Sequence, residues 1–558
     1  MPGNAEALLA DAQSALEAGE WTTARASFEA ALEREESAEA LSGLGNALWW
    51  LGDTEASVRY QERAYAAFRR RPDPEQAALA AIYLCLIYRA SLGNFAASRG
   101  WLGRAARLVE EFGLGALSGW VSLCRAVAAN DGDDPSGAER WAREARVTAL
   151  RSADGDLDLC ALSELGAALV EMGRVDEGLA LLDEAMAGSL SGETDSLDTV
   201  VLTSCNTIIC CSRAADFKRA AQWVRAADGF NQRYGSPHLY TVCRTHFGSI
   251  LFATGKWADA ERELAAALQI GKAAEPALHA EALAKLAELR LAQGRVEEAA
   301  RLLAGFEGHA TTTCAVSAIH LARGEPIVAA SILRRRLREV GEESLEGAVL
   351  LELLVEAEIE QGATPEAADR ARRLAGRGTA LGSDAILARG ERALGRALAS
   401  GREYEPAIGH LERALAAFGR LDMPLEVGRT RLLLATALAR GERETAIAEG
   451  QGALVSFEEL GAARDADGAA AFLRSLGVKA ARAGPKGIGV LTKRELDVLA
   501  LLGEGLSNPD IAERLFISRK TVEHHVASVL SKLDLSGRGE ATAYALRNLD
   551  AERDSATR

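Results

Sequence analysis

A glycine followed five residues later by alanine recurs along most of this chain, and no other feature narrows its fold so far. Gly19 precedes Ala24, Gly255 precedes Ala260, Gly294 precedes Ala299 and Gly362 precedes Ala367. The glycines of the series stand at 19, 52, 93, 132, 173, 255, 294, 324, 362, 401 and 441. Midway across the one double gap, the stretch from Ala215 to Ala220 repeats the pattern with the glycine replaced. The mean interval is about 38 residues, so one supersecondary unit is repeated roughly twelve times. Between turns the pattern is helical. In Ala282–Ala292, apolar side chains return every three or four residues, which places them on one helix face. Gly294 ends that helix, because glycine takes the left-handed conformation of a C-terminal cap at little cost. A second helix starts near Val296, with small Ala299 where it crosses the first. No run of β-branched alternation appears, so the expected fold is all-α.

This pattern resembles the tetratricopeptide family of helical hairpins over about residues 5–476, although that family's period is ~34 residues. One hairpin cannot bury its apolar face alone, so the units must stack. The resemblance implies a right-handed solenoid of about twelve hairpins over residues 1–476, a binding scaffold with a concave inner surface. All eight tryptophans lie in the first half of the chain. Trp49, Trp50, Trp223, Tyr234, Tyr240 and Trp257 are the candidates for a groove that takes a ligand or a protein partner. Packing between hairpins is the alternative use of the same rings. Trp49 and Trp50 are neighbours, so on a helix they point about 100° apart. The run Arg334–Arg336 reads as a solvated face or as a contact for an acidic partner.

Among the 558 residues, 80 Asp and Glu outnumber 64 Lys and Arg, giving a net charge of −16. Such a chain is no polybasic coat or membrane-surface protein, so any nucleic-acid contact must come from a local patch. The N-terminus lacks the basic and apolar regions of a leader, and no apolar stretch is long enough to span a membrane. The expected location is cytoplasmic. Eight cysteines include no C-x-x-C pair, and Cys205, Cys210 and Cys211 lie in an apolar run without a histidine at ligand spacing. They read as small buried helix residues rather than as a metal or redox site. No cofactor is called for, since neither a phosphate-binding loop nor paired catalytic carboxylates appear, and an enzyme is not expected.

The pattern changes at Gly477. Residues 477–490 hold four glycines, a proline and three basic residues, the composition of a flexible basic linker. Helix punctuation then becomes dense. Thr492 with Glu495 forms a capping box, Ser507 caps a second helix, and Ser518 caps a third reaching about Leu533. A fourth runs from near Arg538 to Asn548. Two short helices with Ala512 at their crossing make a helix-turn-helix. Its core is expected from Ile511, Leu515, Ile517, Val522, Val526, Val529 and Leu533. The opposite face of the third helix carries Arg519, Lys520, Glu523, His524, Ala527, Ser531 and Lys532, and leads with groups suited to phosphate.

Four blocks in order carry a second resemblance: Leu491–Leu499, Leu506–Ala512, Ile517–His525, and Lys532–Leu533 with Arg538–Ala541. Together they resemble the LuxR-type DNA-binding domain over 491–550, followed by a tail at 551–558. They depart from it at Pro509, where lysine is usual, and at Gly537 and Gly539. The whole is similar to the C-terminal part of large ATP-dependent LuxR-type activators without their nucleotide-binding domain. The resemblance implies base-reading positions at Glu523, His524 and Ala527. It places phosphate contacts at Asn508, Ser518, Arg519, Lys520, Thr521, His525, Ser531 and Lys532. Double-stranded DNA is then the partner, with RNA polymerase a further candidate. A homodimer on DNA is expected through small outward positions Ala541 and Ala545 beside Tyr544. Residues 491–549 hold eight basic and eight acidic side chains, so the −16 lies elsewhere. The function expected is a transcription regulator whose solenoid controls the DNA module. The alternative is a protein–protein scaffold with a merely anchoring module.

Overall fold

The computed structural model describes residues 2–71, 73–130, 134–274, 276–381, 383–478, 493–515, 517–533, 537–542 and 544–545. The expected linker, Thr492 and the tail fall wholly or largely outside them. Every regular element among the described residues is helical. Tertiary contacts divide the chain into two compact units, Met1–Ala453 and Leu454–Arg558.

The first unit is an array of antiparallel helical hairpins. Its turns carry left-handed glycines where the sequence places them, at Gly19, Gly52, Gly93, Gly173, Gly255, Gly294, Gly324 and Gly362. At Gly294 the closure is a Schellman turn, with Gly294 N–H bonded to Leu291 O at 2.9 Å and Arg295 N–H to Arg290 O at 2.8 Å. Ala215 makes the same turn at φ +60°, the substituted position expected from the sequence. Two turns differ. The helix Asp384–Ser400 runs one residue further, so Gly401 keeps φ −74° and Arg402 takes the left-handed place at φ +67°. Glu442 N–H bonds Leu438 O at 2.8 Å, and Gly441 is not left-handed.

The fifth residue after each turn is small for a physical reason. Ala24, Ala220, Ala260, Ala299, Ala329, Ala367 and Ala407 are all at 0% exposure, where the second helix crosses the first. The two helices of a hairpin then do different jobs. In Gly155–Glu171, twelve of seventeen residues are buried, because a first helix has neighbours on several sides. In Phe217–Tyr234 only Ala220, Val224, Ala227 and Asn231 are buried, one stripe on an otherwise wet helix.

The array also meets itself. The Trp21 indole N–H donates to Tyr234 O at 2.6 Å, and Trp21 stacks on Trp50 with ring centroids 4.3 Å apart. Further along, Gly173 leaves room for Leu381, whose Cδ1 lies 2.5 Å from where a Cβ would stand. Both contacts join points roughly five hairpins apart, so successive superhelical turns touch and enclose a cavity.

Within the second unit, helices Lys493–Gly503, Asn508–Leu515 and Arg519–Leu533 surround a core of their own. Residues 538–542 and 544–545 are helical and complete it. All seven expected core residues belong to it, with Leu515 and Ile517 at its edge. No helix among the described residues is long and apolar enough to cross a membrane.

Candidate nucleic-acid interface and repeat cavity

Local chemistry fixes the turn of the helix-turn-helix. Ile517 N–H bonds Ala512 O at 3.0 Å, ending the second helix, and Ser518 Oγ accepts from Thr521 N–H at 3.1 Å, starting the third. Asp510 accepts from Ser507 Oγ at 2.5 Å and from Ser507 N–H at 3.1 Å, and these bonds hold its carboxyl below the usual range. Arginines staple the helices to one another. Arg494 donates to Leu515 O at 2.5 Å, and Arg538 donates to Leu506 O and to Asn508 Oδ1. Glu495 is buried and accepts from Ser528 Oγ at 2.6 Å, which fixes the first helix against the third.

This frame presents the start of Arg519–Leu533 to solvent. Ser518, Arg519, Lys520 and Thr521 are exposed, and Val526 and Val529 on the far side are buried. Apart from Thr521 N–H, which Ser518 Oγ caps, the first-turn amides have no partner within the helix and add the positive end of its dipole. Glu523 and Ala527 are exposed on the same helix, and His525 is half-buried. Arg519 Nε donates to Glu523 Oε1 at 3.0 Å, so the acidic candidate base reader is paired on its own surface. Asn508 is oriented by Arg538. The side chains of His524, Ser531 and Lys532 lie outside the described residues.

One expectation is corrected. Ala541 and Ala545 face inward, at 0% and 2% exposure, because the last helix must cover the module's own core. Ala545 Cβ lies 2.8 Å from where a Cβ on Gly503 would stand. Neither can form a seam with a second copy, and Tyr544 alone of the three is half-exposed.

The expected groove is also redrawn. The first unit encloses a cavity of about 1540 Å³, walled mainly by the first helices of the hairpins. Of the six groove candidates only Trp49 lines it. Trp50 and Trp257 are packed away at 4% and 6% exposure. The Trp223 indole donates to Asp183 at 2.7 Å, Tyr234 packs on Phe230, and Tyr240 lies under the Arg244 guanidinium. Arg336, read as part of a solvated run, is bonded to Glu346 and reaches the cavity wall. Cys205 and Cys210 line the cavity as apolar surface, and burial pushes the Cys211 thiol up to about 12. Among the described residues no cluster of His, Cys, Asp and Glu could hold a metal ion.

Sequence reasoning missed the polar wall. Buried Glu164 accepts from Asn130 Nδ2 at 2.6 Å and from Asn206 Nδ2 at 2.7 Å, bringing three successive hairpins together. Tyr83 and Asp198 line the same cavity. Nothing in the local sequence marks these residues, since they are drawn from four different repeats.

Residues 489–545 match the family model described as "Bacterial regulatory proteins, luxR family". The transcriptional regulatory protein LiaR of Bacillus subtilis (strain 168) is 55% identical over 58 residues, 10% of this chain and 28% of that protein. The oxygen regulatory protein NreC of Staphylococcus haemolyticus (strain JCSC1435) is 50% identical over 58 residues, 10% of this chain and 27% of that one. The chain thus spans little more than a quarter of the curated relatives it matches. Among solved structures, the APC/C hetero-tetramer Cut9-Hcn1 aligns over 85% of this chain and 96% of that one, at 13% identity and a TM-score of 0.42.

Proposed function

We propose, from a C-terminal domain of the LuxR type, that this chain is a sequence-specific DNA-binding transcription regulator. The observation that carries this is the exposed N-terminal end of Arg519–Leu533. There, paired hydroxyls, two basic side chains and first-turn amides converge on a surface held by a buried core. Arg519, Lys520, Thr521 and Ser518 hold phosphates, and Glu523 and Ala527 approach base edges. The module is charge-neutral over 491–549, so its phosphate affinity is modest and two copies bind together on an inverted repeat. RNA polymerase is a further partner in this reading. The repeat unit senses a ligand or protein in its cavity and thereby controls the module.

The test is retention on DNA across a salt series, followed by selection of bound sequences from a random pool. A regulator shows a negative salt slope and a preferred inverted repeat with half-sites about one helical turn apart. Binding with no preferred sequence at any salt would overturn the reading in favour of an anchoring module.

A further inference from the structure

We propose that the cavity of the repeat unit binds a protonated amine carried on an apolar body, with the ammonium seated on the Asp198 carboxylate beside Trp49 and Tyr83. Asp198 begins the helix Leu197–Arg213, but it does not cap it: Ser196 Oγ accepts from the Asp198 N–H at 3.3 Å. Its Oδ1 is buried with no hydrogen-bond partner, and so is the Tyr83 hydroxyl. Both residues line the cavity, and the Asp198 charge acts on Tyr83.

A buried carboxylate oxygen without a donor is costly, and a turn of the side chain into the cavity would let a ligand supply one. The Asp198 carboxylate is desolvated in its place on the cavity wall. Burial pushes its pKa up to about 6, the nearby Trp50 indole opposes this, and Asp156 adds repulsion. The surrounding wall has the same sign, with six carboxylates and four guanidinium groups lining the cavity. An anion would meet net repulsion there. Aromatic rings complete the seat. Trp49 is half-buried and lines the cavity, an indole of the kind whose π-system attracts ammonium groups.

The rest of the wall suits a hydrocarbon. Val201, Leu202 and Cys205 follow Asp198 at helical spacing and line the cavity with it, joined by Leu86 and Val242. At about 1540 Å³ the space exceeds the ~300–1,000 Å³ of common small-ligand sites, so a long apolar body is accommodated. This inference deepens the sensing role proposed above. Its test needs no DNA, so amine binding and DNA binding fail separately.

Decylammonium, decanol and decanoate are titrated calorimetrically into the full chain below their micellar concentrations. Decylammonium is expected to bind at least tenfold more tightly than decanol, and decanoate more weakly than both. Asp198→Asn should bring decylammonium down to the level of decanol while decanol binding is unchanged. Trp49→Leu should lower the preference for the amine at least threefold, an independent check if the first variant folds poorly. Equal binding of decylammonium and decanol to the unaltered chain, or a preference that survives Asp198→Asn, would overturn the proposal.

Discussion

Glu523 and Arg519 are both exposed, so their ion pair is worth only a few tenths of a kcal/mol and DNA can break it. Once released, the carboxylate can accept from the exocyclic amine of cytosine but cannot pair with the acceptors of guanine. Glu523→Lys should therefore change the selected base at one position per half-site, by about 1 to 3 kcal/mol. Lys520→Ala should weaken all sites alike and flatten the salt slope, as expected of a phosphate contact. An unchanged motif in Glu523→Lys would leave Glu523 as a surface partner only.

Asp198 makes a prediction of the opposite kind, about stability. Its carboxyl titrates near 6 when folded, against a usual value near 3.8. The folded chain therefore binds this proton more tightly than the unfolded one, and the ionised group destabilises the fold as pH rises from about 4 through 6. Asp198→Asn should raise the thermal midpoint at pH 7, by about 1 to 2 kcal/mol of stability after allowance for partial exposure. That advantage should disappear as pH falls towards 4. Denaturation of both forms across this range checks the sign.

Each hairpin depends on a turn that reverses the chain and a crossing that admits only small groups. Gly362 separates the two requirements, since it sits at φ +82° with open space around a built Cβ. Gly362→Ala should then cost only the backbone strain, about 1 kcal/mol. Ala215→Gly should recover up to about that amount, because Ala215 already bears the strain at φ +60°. Gly178 is at a crossing instead: a Cβ there would stand 2.6 Å from Gly166 O, a backbone atom that cannot swing aside. Gly178→Ala should be clearly more destabilising than Gly362→Ala in the same denaturant series. The contrast arises because the turn tolerates a strained residue, whereas the crossing has no volume to give.

Contacts between superhelical turns are long-range in sequence and few, so single residues matter to them. Trp21 is 8% exposed, stacked on Trp50 and bonded to Tyr234 O. Trp21→Ala should cost about 3 to 5 kcal/mol. Hydrogen exchange should quicken together in Trp21–Arg34 and in Phe217–Tyr234, although the two are far apart in the chain. Exchange confined to the first segment would show that the closure adds little. Charge sets a second expectation for the intact chain. The −16 lies outside residues 491–549, so the repeat unit should oppose the approach of its own module to phosphates. Residues 477–558 alone should bind non-specific DNA at low salt at least as well as the full chain. Clearly weaker binding at equal dimer concentration would remove that restraint.

What could be read from the residues alone was whatever depends on near neighbours. The Gly–Ala spacing located most hairpin turns and their buried crossings, because a left-handed cap and a small crossing residue are local demands. Ser507 and Ser518 located the helix starts of the DNA module for the same reason, and its apolar set located the core. Tertiary structure decided which side of a helix is used when both sides are plausible. Ala541 and Ala545 are small enough for a dimer seam, yet they close their own core. Trp50 and Trp257 are rings fit for a groove, yet they are packing. The cavity was invisible in the sequence for a deeper reason. Asp198, Tyr83 and Trp49 belong to different repeats, and only the curvature accumulated over successive hairpins brings their side chains to one wall.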